Sequence, residues 1–163
     1  MQLSRIVESK GKASPFPELA EHEKKSIIQF YFIEGDSDFS HIPEFKDLEL
    51  GEAMDSSEIP WDKLIPLFDK LYEDEVYFVY DIPTPDFKSF IESETEILDD
   101  EHASFDEYHK DYNEVNDASY SHLNRWPSIA ECEDEGIIDG WHRIHDYIRN
   151  GDESLPLIVS SDI

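Results

Sequence analysis

Ile137-Ile138-Asp139-Gly140-Trp141-His142-Arg143-Ile144-His145-Asp146-Tyr147-Ile148-Arg149-Asn150-Gly151, with Leu155-Pro156-Leu157-Ile158-Val159 after it, is the stretch that sets the fold class. Two β-branched residues lead into Asp139-Gly140, where a glycine breaks a strand. From Trp141 onward the apolar positions Ile144, Tyr147 and Ile148 recur at helical spacing, and Asn150-Gly151 supplies a helix stop. Leu155–Val159 reads as a further strand. Upstream, Ser128–Cys132 reads as a short strand and Glu133–Gly136 as a turn. The order strand, turn, strand, helix, strand predicts an α/β (α+β) unit, a small mixed sheet with helices.

Further toward the N-terminus, Val76–Ile82 is rich in β-branched and aromatic residues and predicts a buried strand, ended by Pro83 and Pro85. Before it, Ile59-Pro60-Trp61 opens a helix whose apolar residues Leu64, Ile65, Phe68, Leu71 and Tyr72 fall on one face, with Pro66 a candidate kink. Residues 17–35 predict a helix from Pro17 to Gly35, although Ile27–Ile33 also suits a buried strand. Phe87, Phe90 and Ile91, then Phe105, Tyr108, Tyr112 and Val115, recur at three and four, as on helices with an apolar stripe. No internal repeat is evident. One domain over 1–163 is expected: a loose lead-in at 1–16, a helix and acidic loop at 17–58, and a core at 59–160 carrying an acidic insert at 83–125.

Asp139-Gly140-Trp141-His142-Arg143 is the segment with the most chemical content. A glycine between strand and helix gathers backbone N–H groups at the positive helix end, which suits an anion. His142 and Arg143 add side-chain donors, Arg being fitted to bidentate phosphate contacts, and Asp139 can cap the helix or hold the loop. His142 and His145, three apart with Asp139 and Asp146 nearby, and His102 and His109 among acids, have spacings that a metal also uses. Solvated or hydrogen-bonded histidines are the expected reading of both, and no metal is expected. No Ser-His-Asp arrangement, Walker loop, C-x-x-C pair or calcium loop is present.

Residues 137–147, with the strand Leu155–Val159, resemble the D-G-x-H-R segment and following strand of the ParB/sulfiredoxin superfamily. Ile59-Pro60-Trp61-Asp62-Lys63-Leu64 is similar to the opening of such domains. The resemblance spans 57–160 and is firmest over 126–160. It implies a nucleotide, ATP or another with Mg²⁺, whose phosphates meet His142 and Arg143 and the backbone N–H groups of Gly140 and Trp141. Asp62, Glu73 or Asp81 would serve as an acidic base. Sulfiredoxin's reactive cysteine lies inside this motif; Trp141 holds that place here and Cys132 lies outside it, so sulfinic-acid reduction is not implied. The family has no equivalent of the acidic insert.

Charge points elsewhere. The chain carries 40 Asp+Glu against 13 Lys+Arg, a net of −27. Residues 1–33 are nearly balanced, whereas 34–58 hold nine acids and one base, and 92–117 hold eleven acids and one base. Such a surface repels phosphate backbones and anionic membranes, so no direct nucleic-acid partner and no membrane are expected. It favours a basic protein partner with a fast, salt-sensitive encounter. The single Cys132 excludes an intrachain disulfide, and no leader or membrane-spanning run is apparent, so a cytoplasmic location is expected.

Two functions follow from these readings. One is an inhibitory DNA mimic, needing no cofactor, that blocks a basic DNA-binding protein, a host or defence enzyme if the gene is phage-borne. A net charge of −27 matches the phosphates of roughly a dozen base pairs. Its acidic surface would be Glu92, Glu94, Glu96, Asp99, Asp100, Glu101, Asp106, Glu107, Asp111, Glu114 and Asp117, extended by 34–58. The other is a nucleotide-binding phosphotransferase or nucleotide hydrolase built on Asp139–Arg143.

Overall fold

Burial along the last strand explains its central place in the sheet. Leu155, Leu157 and Val159 are buried on one side of the strand and Ile158 on the other. This strand, β5 (Ser154–Ser160), pairs antiparallel with β2 (Val76–Pro83), setting Phe78 opposite Val159 and Tyr80 opposite Leu157. On its other edge β5 pairs parallel with β3 (Ser128–Ala130), which pairs antiparallel with β4 (Ile137–Asp139). With β1 (Lys12–Pro15) the order is β1-β2-β5-β3-β4, a mixed sheet. The structure, a computed structural model, describes residues 11–30, 43, 59–94, 104–116, 125–130 and 137–160.

Three helices lie in the same compact unit as the sheet, which takes in Met1–Ser14 and Val76–Ile163. They are α3 (Thr84–Glu94), α4 (Phe105–Val115) and α5 (Trp141–Asn150). One apolar cluster joins Phe87, Phe90 and Ile91 of α3, Phe105 of α4, Ile144 and Tyr147 of α5, and Ile82, Leu155, Leu157 and Val159 of the sheet. The fold is α/β with a mixed sheet and helices, as the sequence predicts. Helix α5 spans the predicted residues, and it ends on Gly151 at φ +84. There Gly151 N–H bonds Ile148 O at 3.0 Å and Asp152 N–H bonds Tyr147 O at 3.0 Å, the paired bonds of a Schellman end.

The second unit, Pro15–Glu75, contains a short 3-10 turn, α1 (Glu21–Ile28) and α2 (Trp61–Leu71). A single helix from Pro17 was expected. Instead Phe16–Glu18 turns once, and α1 starts where the Glu23 carboxylate accepts the Ala20 N–H at 2.8 Å. In α2 the buried stripe is Leu64 and Phe68, whereas Leu71 is 46% exposed and lies off it. Pro66 is accommodated inside α2. Among the described residues no helix is long and apolar enough to cross a membrane.

Candidate functional site

The predicted motif lies at the junction of β4 and α5. Asp139 closes β4 opposite Ile129, and Gly140 follows at φ +86, a conformation that favours glycine. A second constraint acts on the same residue. A Cβ on Gly140 would stand 2.6 Å from Ser128 Oγ and 2.9 Å from Ser128 Cα. Ser128 is fully buried in β3, and its hydroxyl donates to Gly140 O at 2.9 Å. Gly140 is therefore where the α5 entry crosses over β3.

The side chains that follow point to three different surroundings. Trp141 is half-buried, and its indole N–H donates to Tyr108 Oη at 3.1 Å, tying α5 to α4. His142 is exposed. Arg143 is 5% exposed, donates from Nη1 to Pro127 O at 3.0 Å, and lies 5.6 Å over the Trp126 ring. One turn on, the Tyr147 hydroxyl donates to Trp126 O in a very short bond, and burial pushes that phenol up to about 12. Arg143 and Tyr147 together hold the carbonyls of Trp126 and Pro127, the chain leading into β3. Arg125, at φ +53, lies 5.2 Å over the Tyr147 ring and pairs with Asp152 at 3.2 Å and Asp81 at 3.4 Å. Asp81, one of three candidate bases, is thus engaged on β2; Asp62 and Glu73 belong to the Pro15–Glu75 unit.

Helix α4 displays the described part of the acidic block. Its inward positions Phe105, Tyr108, His109 and Tyr112 are spaced at three and four, and its exposed positions include Asp106, Glu107, Lys110, Asp111 and Glu114. Ser104 caps the helix, accepting Glu107 N–H at 3.2 Å. Glu92 of α3 accepts Phe105 N–H at 2.8 Å, placing a carboxylate at the positive end of α4. Lys88 pairs with Asp106 at 2.8 Å. Glu94 ends α3; Glu96, Asp99, Asp100, Glu101, Asp117 and His102 lie outside the described residues. So does most of 34–58.

Between α4 and α5 lies a histidine pair that the motif reading missed. His145 is 1% exposed, its ring sandwiched by Tyr112 at 3.7 Å on one contact and stacked with Phe105 at 5.8 Å. His109 Nδ1 and His145 Nδ1 are 2.6 Å apart, and the two rings are within 4° of parallel. Asn113 Nδ2 meets His109 Nε2 at 3.1 Å, and Arg149 Nη2 bonds Asn113 Oδ1 in a very short contact. Burial, then the Arg149 charge, holds His109 below its ordinary range; burial, then the neighbouring His109, pushes His145 down to about 3. The sequence does carry one trace of this arrangement. His109 and Asn113 are four apart, as are His145 and Arg149, so each pair shares one helix face. Among the described residues no group of three His, Cys, Asp or Glu side chains converges as metal ligands.

Comparisons with protein-family models, with characterised proteins and with solved structures find no match to this chain.

Proposed function

We propose that this protein is an acidic binding protein that presents carboxylates in place of nucleic-acid phosphates, and so occupies the DNA-binding face of a basic protein. The observation that carries the reading is the exposed face of α4. Asp106, Glu107, Asp111 and Glu114 are exposed there. They span about 12 Å of helix axis, or one carboxylate every ~4 Å, against one phosphate every ~3.4 Å along a DNA strand. Lys110 and the Lys88–Asp106 pair lower the local charge, but the chain as a whole stands at −27. The inner face of α4 is fixed by ring contacts, so the carboxylates ride on a rigid element. The partner is a basic DNA-binding protein met in the cytoplasm, the host's if the gene is phage-borne.

The test is displacement of a fluorescent duplex from sequence-nonspecific basic DNA-binding proteins at neutral pH. The protein is expected to release the duplex at low salt and lose that ability as salt rises. The triple variant Glu107→Gln/Asp111→Asn/Glu114→Gln should be at least about tenfold weaker, the effect of a small group of interfacial charges. Equal displacement by wild type and variant sinks the reading.

A second reading rests on the start of α5, where Gly140 opens the helix, the first turn carries no acidic residue and His142 is exposed. That is the arrangement for a nucleotide phosphate. Arg143, being buried against Pro127 and Trp126, is a poor probe of it. Calorimetric titration of ATP with Mg²⁺ into wild type and His142→Ala separates this reading from the first: heat lost in the variant supports it, and no heat from either protein removes it.

A further inference from the structure

The hydrogen bonds between α4 and α5 run in one direction, and that direction is set by an arginine. Arg149 only donates, so the Asn113 atom it meets is the amide oxygen. The amide nitrogen of Asn113 then faces His109 Nε2 at 3.1 Å as a donor. His109 Nε2 must therefore accept, which puts the His109 proton on Nδ1. From there it is donated across 2.6 Å to His145 Nδ1, with the two rings nearly parallel. The His145 proton accordingly sits on Nε2, a buried atom with no hydrogen-bond partner among the described residues.

Every acceptor in this chain is already in use. A further proton on His109 Nε2 faces the Asn113 amide hydrogens. A further proton on His145 Nδ1 faces the His109 N–H. Turning the Asn113 amide relieves the first conflict only by setting its hydrogens against Arg149. Protonation thus replaces a donor–acceptor contact by a donor–donor one wherever it occurs, at a seam where His145 is fully buried.

The geometry points to a proton-operated latch: the neutral His109–His145 pair holds α4 on α5, and protonation of the pair releases α4. The surrounding charges act in the same sense on balance. Arg149 and His142 of α5 and Lys88 of α3 oppose a cation at this seam, and Asp106 of α4 favours one. Asp146, 3% exposed on α5, lies 3.8 Å from Arg149 and offsets part of that charge. Burial is the largest cause of the lowered basicity of both rings. Other ties of α4 among the described residues include the Trp141–Tyr108 bond, the edge contact of Phe105 with Phe87, Glu92 on Phe105 N–H, and Lys88–Asp106. Imidazole is the side-chain type that ordinarily titrates between about pH 7 and 5. That the latch governs the acidic face of α4 rests on the proposed function; the latch itself does not.

Hydrogen exchange of the isolated full chain, followed from pH 7.5 to 4.5 and corrected for intrinsic exchange, tests it. If release takes up two protons, the released population rises by up to about 100-fold per pH unit below the ordinary imidazole range. Protection of α4 amides should then fall steeply while that of β2 and β5 is kept. His109→Phe/His145→Phe retains the rings and should remove the dependence. Flat α4 protection in the wild type, or the same pH dependence in the double variant, overturns the proposal. Should the variant not fold, imidazole carbon-bound proton titration of the wild type decides. Both rings neutral for as long as α4 is protected supports the latch; either ring charging near its ordinary 6.5 with α4 still protected overturns it. No partner enters these readouts, so their failure is distinct from a failed displacement at neutral pH.

Discussion

Gly140 and Gly151 form a matched pair for asking why the motif needs its glycine. Their φ values are +86 and +84, so a methyl group meets almost the same backbone strain at each. That strain is about 1–2 kcal/mol, partly offset by about 0.4–1 kcal/mol from a stiffer unfolded chain. Space differs entirely. Nothing lies within 4 Å of a Cβ at Gly151, whereas at Gly140 it meets Ser128 Oγ at 2.6 Å, Cα at 2.9 Å and Cβ at 3.0 Å. Ser128 cannot retreat easily, because β3 is held between β4 and β5. Overpacking there adds about 1–3 kcal/mol, and losing the Ser128 hydroxyl bond to Gly140 O about 1 more. Gly151→Ala is expected to destabilise by about 1 kcal/mol and Gly140→Ala by about 3–5. Urea unfolding followed by tryptophan fluorescence measures both. Ser128→Ala/Gly140→Ala should recover only part of the loss, since the Cα and Cβ approaches remain. Equal losses in the two single variants, within about 0.5 kcal/mol, would refute the packing account and return Gly140 to a ligand role.

Other outcomes follow from the same contacts. His145 and His109 are held neutral in the fold, so the unfolded chain binds more protons below pH 6.5 and stability falls as pH drops. For His145 the slope approaches about 1.4 kcal/mol per pH unit from 6.5 down to about 3, His109 adds to it in the same direction, and denaturant unfolding across that range reads it. Relief of carboxylate repulsion acts in the opposite sense and is screened by salt, so high salt should isolate the histidine loss. Arg143→Leu should destabilise by about 2–3 kcal/mol, because Pro127 O loses a charged donor while buried, again measured in urea. Glu114→Gln should stabilise by about 0.3–1 kcal/mol in thermal unfolding while weakening duplex displacement.

The local signals of the last third were legible because they are short-range. Gly140 and Gly151 bracket α5 in the sequence as they do in the fold, and Leu155–Val159 lies within β5 as predicted. The buried identities on α5 were less legible. Ile144 and Tyr147 follow from apolar spacing, but Arg143, His145 and Asp146 are buried too, and helical periodicity alone places polar residues outward. Arg143 and His145 are held by groups distant in sequence, the Pro127 carbonyl and His109, whereas Asp146 lies 3.8 Å from Arg149 one turn along its own helix. The N-terminal helix was misplaced for a related reason. Pro17 suits a helix start, but Glu23 reaches back to Ala20 and sets the start there instead.

The two functional readings draw on the same helix pair, and the physics of α4 weighs between them. Asp106 and Glu107 sit in its first turn, where carboxylates are favoured, and Ser104 and Glu92 complete an acidic N-terminal end. Fold stability accounts for those positions. Glu114 differs: it sits in the last turn, where the dipole disfavours negative charge and which carries no basic residue. Arg149 of α5 is the cation that reaches this end, and its bond goes to Asn113. On α5 the accounting runs the other way: Gly140, Trp141 and Arg143 are each explained by β3, Tyr108 and Pro127, and among the motif's described side chains His142 is exposed. In the proposed function the exposed α4 carboxylates, Glu114 among them, are the groups that a basic partner would meet.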